Sequence, residues 1–277
     1  MKTVMLAAAV LITGVAIGPN TASAGPTIYV VGSGFDLGTL DLATGDFTLI
    51  GTMSLPNSFG IVGIGFGSDG MLYGLDINRP AANLFRIDVA TADGTLIGTL
   101  DRSAFSATAD AAGTMYVFSG DSDTVLYNLS PPSTTTTVVT TLGSTFSGLA
   151  AVNADGTQFF TGSNAPVTGD TTLFSVDTAT GAVTQIGSVG FSIDFGLFVD
   201  GVLYGFENET STIVAIDTVT GFGTKVATYS LPNEDSLDAA AYFAPQLVSV
   251  PEPSSLAMAG VAGIGLIGYG ARRRKRA

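Results

Sequence analysis

The sequence predicts an all-β chain folded as a five-bladed β-propeller with four-stranded antiparallel blades, and three observations carry that prediction. A tyrosine or phenylalanine follows a turn at Tyr29, Tyr73, Tyr116, Phe159 and Tyr204, at intervals of 44, 43, 43 and 45 residues. The 277 residues include 36 glycines and no long helix-periodic run. Their short interrupted segments are dominated by Val, Ile, Thr, Phe and Tyr, types that suit a pleated, half-buried strand. Each repeat holds four such segments in roughly 44 residues, which is the content of one propeller blade.

The clearest copy is Asp69–Thr99. It opens with an apolar strand at Leu72–Leu75 and, after a polar loop, continues in a second strand at Leu84–Asp88. An Asp-Gly turn then leads to a third strand ending Ile97-Gly98-Thr99. The second strand recurs at Thr39–Leu42, Leu126–Leu129, Leu173–Asp177 and Ile213–Asp217. In four copies it ends near an aspartate, namely Asp41, Asp88, Asp177 or Asp217. Ala43-Thr44-Gly45, Ala179-Thr180-Gly181 and Val219-Thr220-Gly221 follow as hairpin turns in which glycine takes positive φ. Third-strand endings recur at Ile50-Gly51-Thr52, Leu142-Gly143-Ser144 and Ile186-Gly187-Ser188. Ser133–Thr141 could be a glycosylated Thr-rich tract, but it occupies the place of a third strand and Thr and Val favour strands.

The fourth element is rich in small residues: Val62–Phe66, Phe105–Ala109, Gly148–Val152, Asp194–Phe198 and Asp238–Tyr242. Strands nearest a propeller axis are the most crowded, so these are assigned as innermost. The first copy starts at Thr27–Val31 with no inner strand before it, and the last ends at Ser236–Phe243 with nothing after it. Pairing the C-terminal strand with the N-terminal ones completes a blade and removes an open edge. An open β-sandwich or a propeller with another blade count is the structural alternative.

With 46% hydrophobic and 12% charged residues, the chain can bury a substantial core. It has no cysteine and no histidine. That excludes a disulfide, a thiolate nucleophile, a Cys/His zinc site and a Ser-His-Asp triad. Net charge is −13, yet six of the ten basic residues lie at the chain ends. Between the ends only Arg79, Arg86, Arg102 and Lys225 are basic, and every carboxylate except Glu252 lies there, so the body carries −18. Nucleic acid and anionic lipid are repelled by such a body.

Residues 1–24 have the parts of a secretory signal peptide: Lys2, an apolar run over Val4–Ile17, and Ala22-Ser23-Ala24 before Gly25. Small residues at Ala22 and Ala24 place signal peptidase cleavage after Ala24. The repeat domain is expected over 25–245 and a linker over 246–255. Residues 256–277 then form a transmembrane sorting helix with a basic end. Two prolines hold the junction extended. The apolar stretch Leu256–Ala271 approaches the ~20 residues a helix needs to cross a hydrocarbon core. Arg272, Arg273, Arg274, Lys275 and Arg276 form a basic stop that resists translocation.

This tail resembles the PEP-CTERM protein-sorting signal of Gram-negative bacteria. The likeness lies in the Pro251-Glu252-Pro253 motif, a glycine-rich apolar segment at Leu256–Gly270 and an arginine-rich end. The body looks like the propeller-like exported domains found ahead of such tails. The resemblance implies recognition by an exosortase, a membrane transpeptidase that cuts near Pro-Glu-Pro. It implies transient anchoring in the inner membrane through the C-terminal helix, then delivery to the cell surface or extracellular matrix. It also implies an association with exopolysaccharide and biofilm, with polysaccharide or surface proteins as partners. A plain, unprocessed membrane anchor is the alternative.

Could the body be an enzyme? Without histidine or cysteine, carboxylate acid–base chemistry and oxygen-ligated metal sites remain. Propeller glycosidases and calcium-dependent propeller lactonases are the comparable cases. Asp194 and Asp238, 44 residues apart, begin equivalent inner strands and are candidate channel-mouth carboxylates. Glu207-Asn208-Glu209 is a second acidic cluster, on a loop, whereas Val62, Phe105 and Gly148 stand at the corresponding place in the other copies. Asp121-Ser122-Asp123 is too short a fragment of a calcium loop to count. The expectation is a non-enzymatic binding or structural module with no catalytic residue, metal or cofactor. The alternative is a carboxylate-based carbohydrate- or lactone-active enzyme, for which Ca²⁺ is the candidate cofactor.

Overall fold

The computed structural model describes residues 26–119, 124–142, 150–153, 156–162, 171–232 and 236–243. They form five four-stranded antiparallel sheets. Blade 1 combines β1 (Thr27–Gly32), β2 (Asp36–Asp41) and β3 (Phe47–Thr52) with β20 (Leu237–Ala241). Blade 2 is β4 (Ile61–Phe66), β5 (Leu72–Asp76), β6 (Asn83–Ile87) and β7 (Gly94–Thr99). Blade 3 is β8 (Ser106–Ala109), β9 (Met115–Phe118), β10 (Val125–Leu129) and β11 (Thr137–Thr141). Blade 4 is β12 (Ala150–Val152), β13 (Gln158–Gly162), β14 (Thr172–Val176) and β15 (Val183–Ser188). Blade 5 is β16 (Phe195–Val199), β17 (Val202–Glu207), β18 (Thr212–Ile216) and β19 (Gly223–Thr228).

The ring closes as expected, with β20 pairing antiparallel to β1 and Tyr29 opposite Ala241. The inner strands β4, β8, β12, β16 and β20 neighbour one another around the axis. Their small residues are explained by that crowding: a Cβ on Gly63 or Gly65 would come within 2.4 Å of the Cβ of Ala107 or Ala109 in the next blade. The Thr-rich tract contributes β11, a third strand, as its composition predicts.

Burial is concentrated between blades. Ile28, Leu40, Phe195, Phe206 and Leu237 pack where blades 1 and 5 meet. Leu37, Ile64 and Phe85 join blades 1 and 2, while Leu75, Met115 and Tyr127 join blades 2 and 3. Phe118, Phe160 and Phe174 join blades 3 and 4, and Leu173, Leu203 and Val214 join blades 4 and 5. Each blade therefore depends on its neighbours for a core, the physical reason a propeller needs every repeat.

Two repeated devices set the blade geometry. The pairing of second and third strands slips by one residue in every blade, leaving Ile50, Ile97, Val139, Ile186 or Val226 as the extra residue. Such bulges raise the local twist, which recurs identically around the ring. The second device is the aspartate turn. One carboxylate oxygen of Asp41, Asp177 and Asp217 accepts two backbone N–H groups, at 2.8 and 3.0, 2.8 and 3.1, and 2.8 and 2.9 Å. Those bonds hold the carboxyls of Asp177 and Asp217 below their ordinary value. The stability they contribute is present above the unfolded-state pKa and lost as pH falls through the lower, folded one.

These turns are also the joints between blades. The turn of each blade presses on the outermost strand of the blade before it. A Cβ on Gly51 would meet the Thr91 carbonyl oxygen at 3.1 Å, one on Gly98 would meet Thr134 at 3.1 Å, and one on Gly187 would meet the Thr220 oxygen at 2.2 Å. From the turn side, a Cβ on Gly181 would lie 2.5 Å from Thr140, and one on Gly45 would lie 1.9 Å from the Thr228 carbonyl oxygen. All five seams are covered, including the closing one between blades 5 and 1.

One blade departs from the core pattern. Pairing places Gln158 of blade 4 at the position held elsewhere by Ile28, Leu72, Met115 and Leu203. All five are essentially fully buried, and neither amide atom of Gln158 has a hydrogen-bond partner among the described residues.

Candidate functional site

The inner strands run in one direction, so their first residues form the upper rim of the axial channel and their last residues the lower one. Asp194 and Asp238 both stand at the start of an inner strand. The Asp194 N–H donates to Phe206 at 2.9 Å one residue before β16, and Asp238 is the extra residue of a bulge near the start of β20. Val62 is the matching bulge residue in β4, and the Phe105 N–H donates to Phe118 at 2.8 Å just before β8. The described upper rim is thus acidic on blades 5 and 1 and apolar on blades 2 and 3. At the lower rim a cavity of about 40 Å³ is lined by residues that include Ile64, Phe66, Thr108, Leu197 and Tyr242, with Asp110 the one carboxylate among its described lining residues.

The structure brings Asp194 together with the Glu207-Asn208-Glu209 loop. The Asn208 N–H donates to Asp194 Oδ2 at 2.8 Å. Its side chain acts as a backbone substitute: Nδ2 donates to the Leu237 oxygen at 2.9 Å, and Oδ1 accepts from the Leu237 N–H at 3.1 Å and from the Tyr229 hydroxyl at 2.7 Å. The loop of blade 5 is thereby tied to the strand of blade 1 that carries Asp238. Glu207 accepts from the Thr210 hydroxyl. Asp194 and Glu207 are engaged in holding loops, and among the described residues no group of three or more acidic side chains could hold a metal ion.

Burial raises the Asp194 carboxyl above its ordinary value of 3.8, and the charges of Glu207 and Glu209 add to the rise against the lowering by the Asn208 N–H. For a carboxyl with a raised folded-state pKa, the stabilisation is present below the unfolded value and lost as pH rises through the folded one. Asp194→Asn keeps an acceptor for the Asn208 N–H and removes the charge. The variant should therefore melt higher than the parent at neutral pH, with the gap closing as pH is brought towards 3.8. A gap that widened on acidification, followed by circular dichroism melts, would contradict the assigned cause.

Blade 2 holds a group that sequence reasoning missed. Asp76 ends β5 completely buried. Its oxygens accept from the Asn78 N–H at 3.3 Å, the Asn78 amide at 2.7 Å, the Asn83 N–H at 2.7 Å and the Asn83 amide at 2.9 Å. The Asn78 amide also donates to the Asn57 carbonyl at 2.9 Å, and the Ile77 N–H to Gly60 at 3.0 Å. Two upper-rim loops are clamped together, presenting Phe59, Ile77 and Arg79 to solvent. The available signal was the spacing of Asp76, Asn78 and Asn83, a carboxylate with two amides and no catalytic partner.

Ala22, Ala24, Asp121-Ser122-Asp123, the Pro251-Glu252-Pro253 motif, the expected transmembrane helix and Arg272–Arg276 lie outside the described residues. No helix among the described residues is long and apolar enough to cross a membrane.

Comparison with solved structures returns 695 matching chains, so the fold is widespread. One is a chain from the crystal structure of a nidogen/laminin complex, at TM-score 0.51 and 12% identity over 78% of this chain and 98% of that one. At that identity the likeness shows the fold alone. No curated protein matches the sequence. Residues 249–275 match the PEP-CTERM protein-sorting motif, which marks an exported protein processed by an exosortase. Residues 63–244 match the family described as a repeat of unknown function (DUF6923). The chain is thus an exosortase-sorted, exported β-propeller that belongs to the DUF6923 repeat family.

Proposed function

We propose that this propeller is a non-enzymatic binding or structural module, held briefly in the inner membrane by its C-terminal segment and then displayed at the cell surface or in the extracellular matrix. The observation that supports this reading best is the channel. Its lower mouth is a narrow cavity of about 40 Å³ with one carboxylate, Asp110, among the described residues of its wall, whereas carboxylate catalysis needs two acidic groups flanking a substrate. A rigid ring that presents variable loops at one rim suits recognition. Exopolysaccharide or surface proteins of a biofilm are the partners this reading favours.

Mass spectrometry of the mature protein tests the sorting. The expected product starts at Gly25 and lacks the segment after the Pro251-Glu252-Pro253 motif, and deletion of Leu256–Ala277 should abolish surface display. An intact tail on surface-exposed protein, or normal display without the tail, would overturn it.

One observation favours a second reading: the Asp194 carboxyl is raised and stands with Asp238 on the upper rim. That reading is a carboxylate-based carbohydrate- or lactone-active enzyme, dependent on Ca²⁺ or not. Hydrolysis of glycan or lactone panels that disappears in both Asp194→Asn and Asp238→Asn would establish it over the binding module.

A further inference from the structure

We infer that the clamped loops of blade 2 form a binding platform for a carboxylate-bearing polysaccharide, with Phe59 stacking on a sugar ring and Arg79 pairing with its carboxylate. This rests on the binding-module reading above and assigns it a surface and a ligand chemistry.

Phe59 is 84% exposed, an unusual position for a phenyl ring on a loop that is otherwise well tied down. The Asn78 amide bond to Asn57 and the Ile77 bond to Gly60 fix the two loops to each other. Both are anchored on the buried Asp76, which accepts four hydrogen bonds. Phe59 therefore stands on a rigid base, so little ordering entropy remains to be lost when a ligand covers it. Ile77, partly exposed beside Gly60, extends the apolar surface.

Arg79 supplies the polar half. It is exposed and makes no hydrogen bond or ion pair among the described residues. That is unexpected in a body with 22 carboxylates and four basic residues, where a partner is readily available. A free guanidinium is a planar fork that matches a carboxylate bidentately. The negative charge of the body opposes an anionic polymer, but at 0.1 M salt the part of it beyond about 10 Å is screened, so the local contact with Arg79 has to carry the binding.

An open ring standing on a rim, with a guanidinium on the adjoining loop, suits a flat ligand laid across the surface. A uronate polymer offers the apolar face of a pyranose ring and a carboxylate in every residue. Its repetition converts weak single-site binding into avidity wherever many copies are displayed. An acidic peptide would satisfy Arg79 but bring no ring face to Phe59, and a neutral glycan would do the reverse.

The test uses the full chain in mild detergent, with polygalacturonate, dextran and polyglutamate as probes in calorimetry or affinity electrophoresis. Polygalacturonate should bind, and Phe59→Ala and Arg79→Ala should each weaken it by about tenfold, the scale of one stacking or charge-assisted contact. Both variants should melt as the parent does. Val219→Ala, which removes another side chain 84% exposed but sits at a blade 5 turn, should leave binding unchanged. Equal binding of dextran, equal binding of polyglutamate, or undiminished binding by either variant would overturn the assignment. If matrix polysaccharide still binds while Phe59→Ala and Arg79→Ala have no effect, the binding module survives and only this platform is lost. If polysaccharide is hydrolysed, the module reading itself fails.

Discussion

Gly45→Ala should destabilise the propeller far more than Gly201→Ala. Gly45 sits at φ +77°, where an L-residue loses roughly 1–2 kcal/mol through its Cβ. The added methyl would also lie 1.9 Å from the Thr228 carbonyl oxygen and 2.7 Å from its carbonyl carbon. Both are backbone atoms at the end of β19, so no side-chain rotation relieves the contact. Blades 1 and 5 must part at the seam that closes the ring. A total of about 4 kcal/mol is expected, in the range reserved for specific structural failures.

Gly201→Ala is the matched comparison, because Gly201 has φ +81° and open space where its Cβ would be. It should lose only the conformational part, roughly 1–2 kcal/mol. Urea unfolding of the two variants measures the difference. Equal losses would mean that the seam yields without resistance and that the turn-to-strand joints do not hold the ring.

Gln158→Met is expected to stabilise. The four equivalent positions are buried and apolar, and Gln158 is buried with both amide atoms unpartnered among the described residues. An amide buried without a hydrogen bond costs about 1–3 kcal/mol by protein mutational measures. Methionine is close in length and volume and adapts to irregular space. For a chain of this size each kcal/mol recovered should raise the melting temperature by about 2–4 °C. A neutral or lowered melting temperature would show that the amide is satisfied in solution, and would remove blade 4 from the list of imperfectly matched repeats.

Much of the architecture could be read along the chain because a propeller writes its blades in sequence order. The aromatic markers from Tyr29 to Tyr204 announced the period, and the unpaired first and last copies announced the closure that β1 and β20 make. The aspartates before the Thr-Gly turns were visible as a pattern, although their role as joints was not. That role depends on which strand lies opposite Gly45, Gly181 or Gly221, and the contact is between residues far apart in number.

The candidate site was less legible. Asp194 and Asp238 stood out because their spacing equals the period, yet nothing in that spacing says that Asn208 ties one to the strand of the other. Asp76 is matched by a carboxylate, Glu207, in blade 5 but by Gly32, Ser119 and Gly162 in the other copies, so a search for features shared by every copy passed over it and over the loop that carries Phe59. Platforms of this kind arise from two loops clamped in space, and loop-to-loop hydrogen bonds leave no periodic trace.

Local composition and period alone were enough to determine the blade count, the order of strands within a blade, the closing pair and the sorting tail, since each follows from short-range patterning or from a contiguous motif. Only the tertiary structure decided which turn presses on which strand, which carboxylates are already occupied, and where a ring and a guanidinium stand exposed together. Those outcomes are set by packing across the seams between blades, where neighbours in space are about a whole repeat or more apart along the chain.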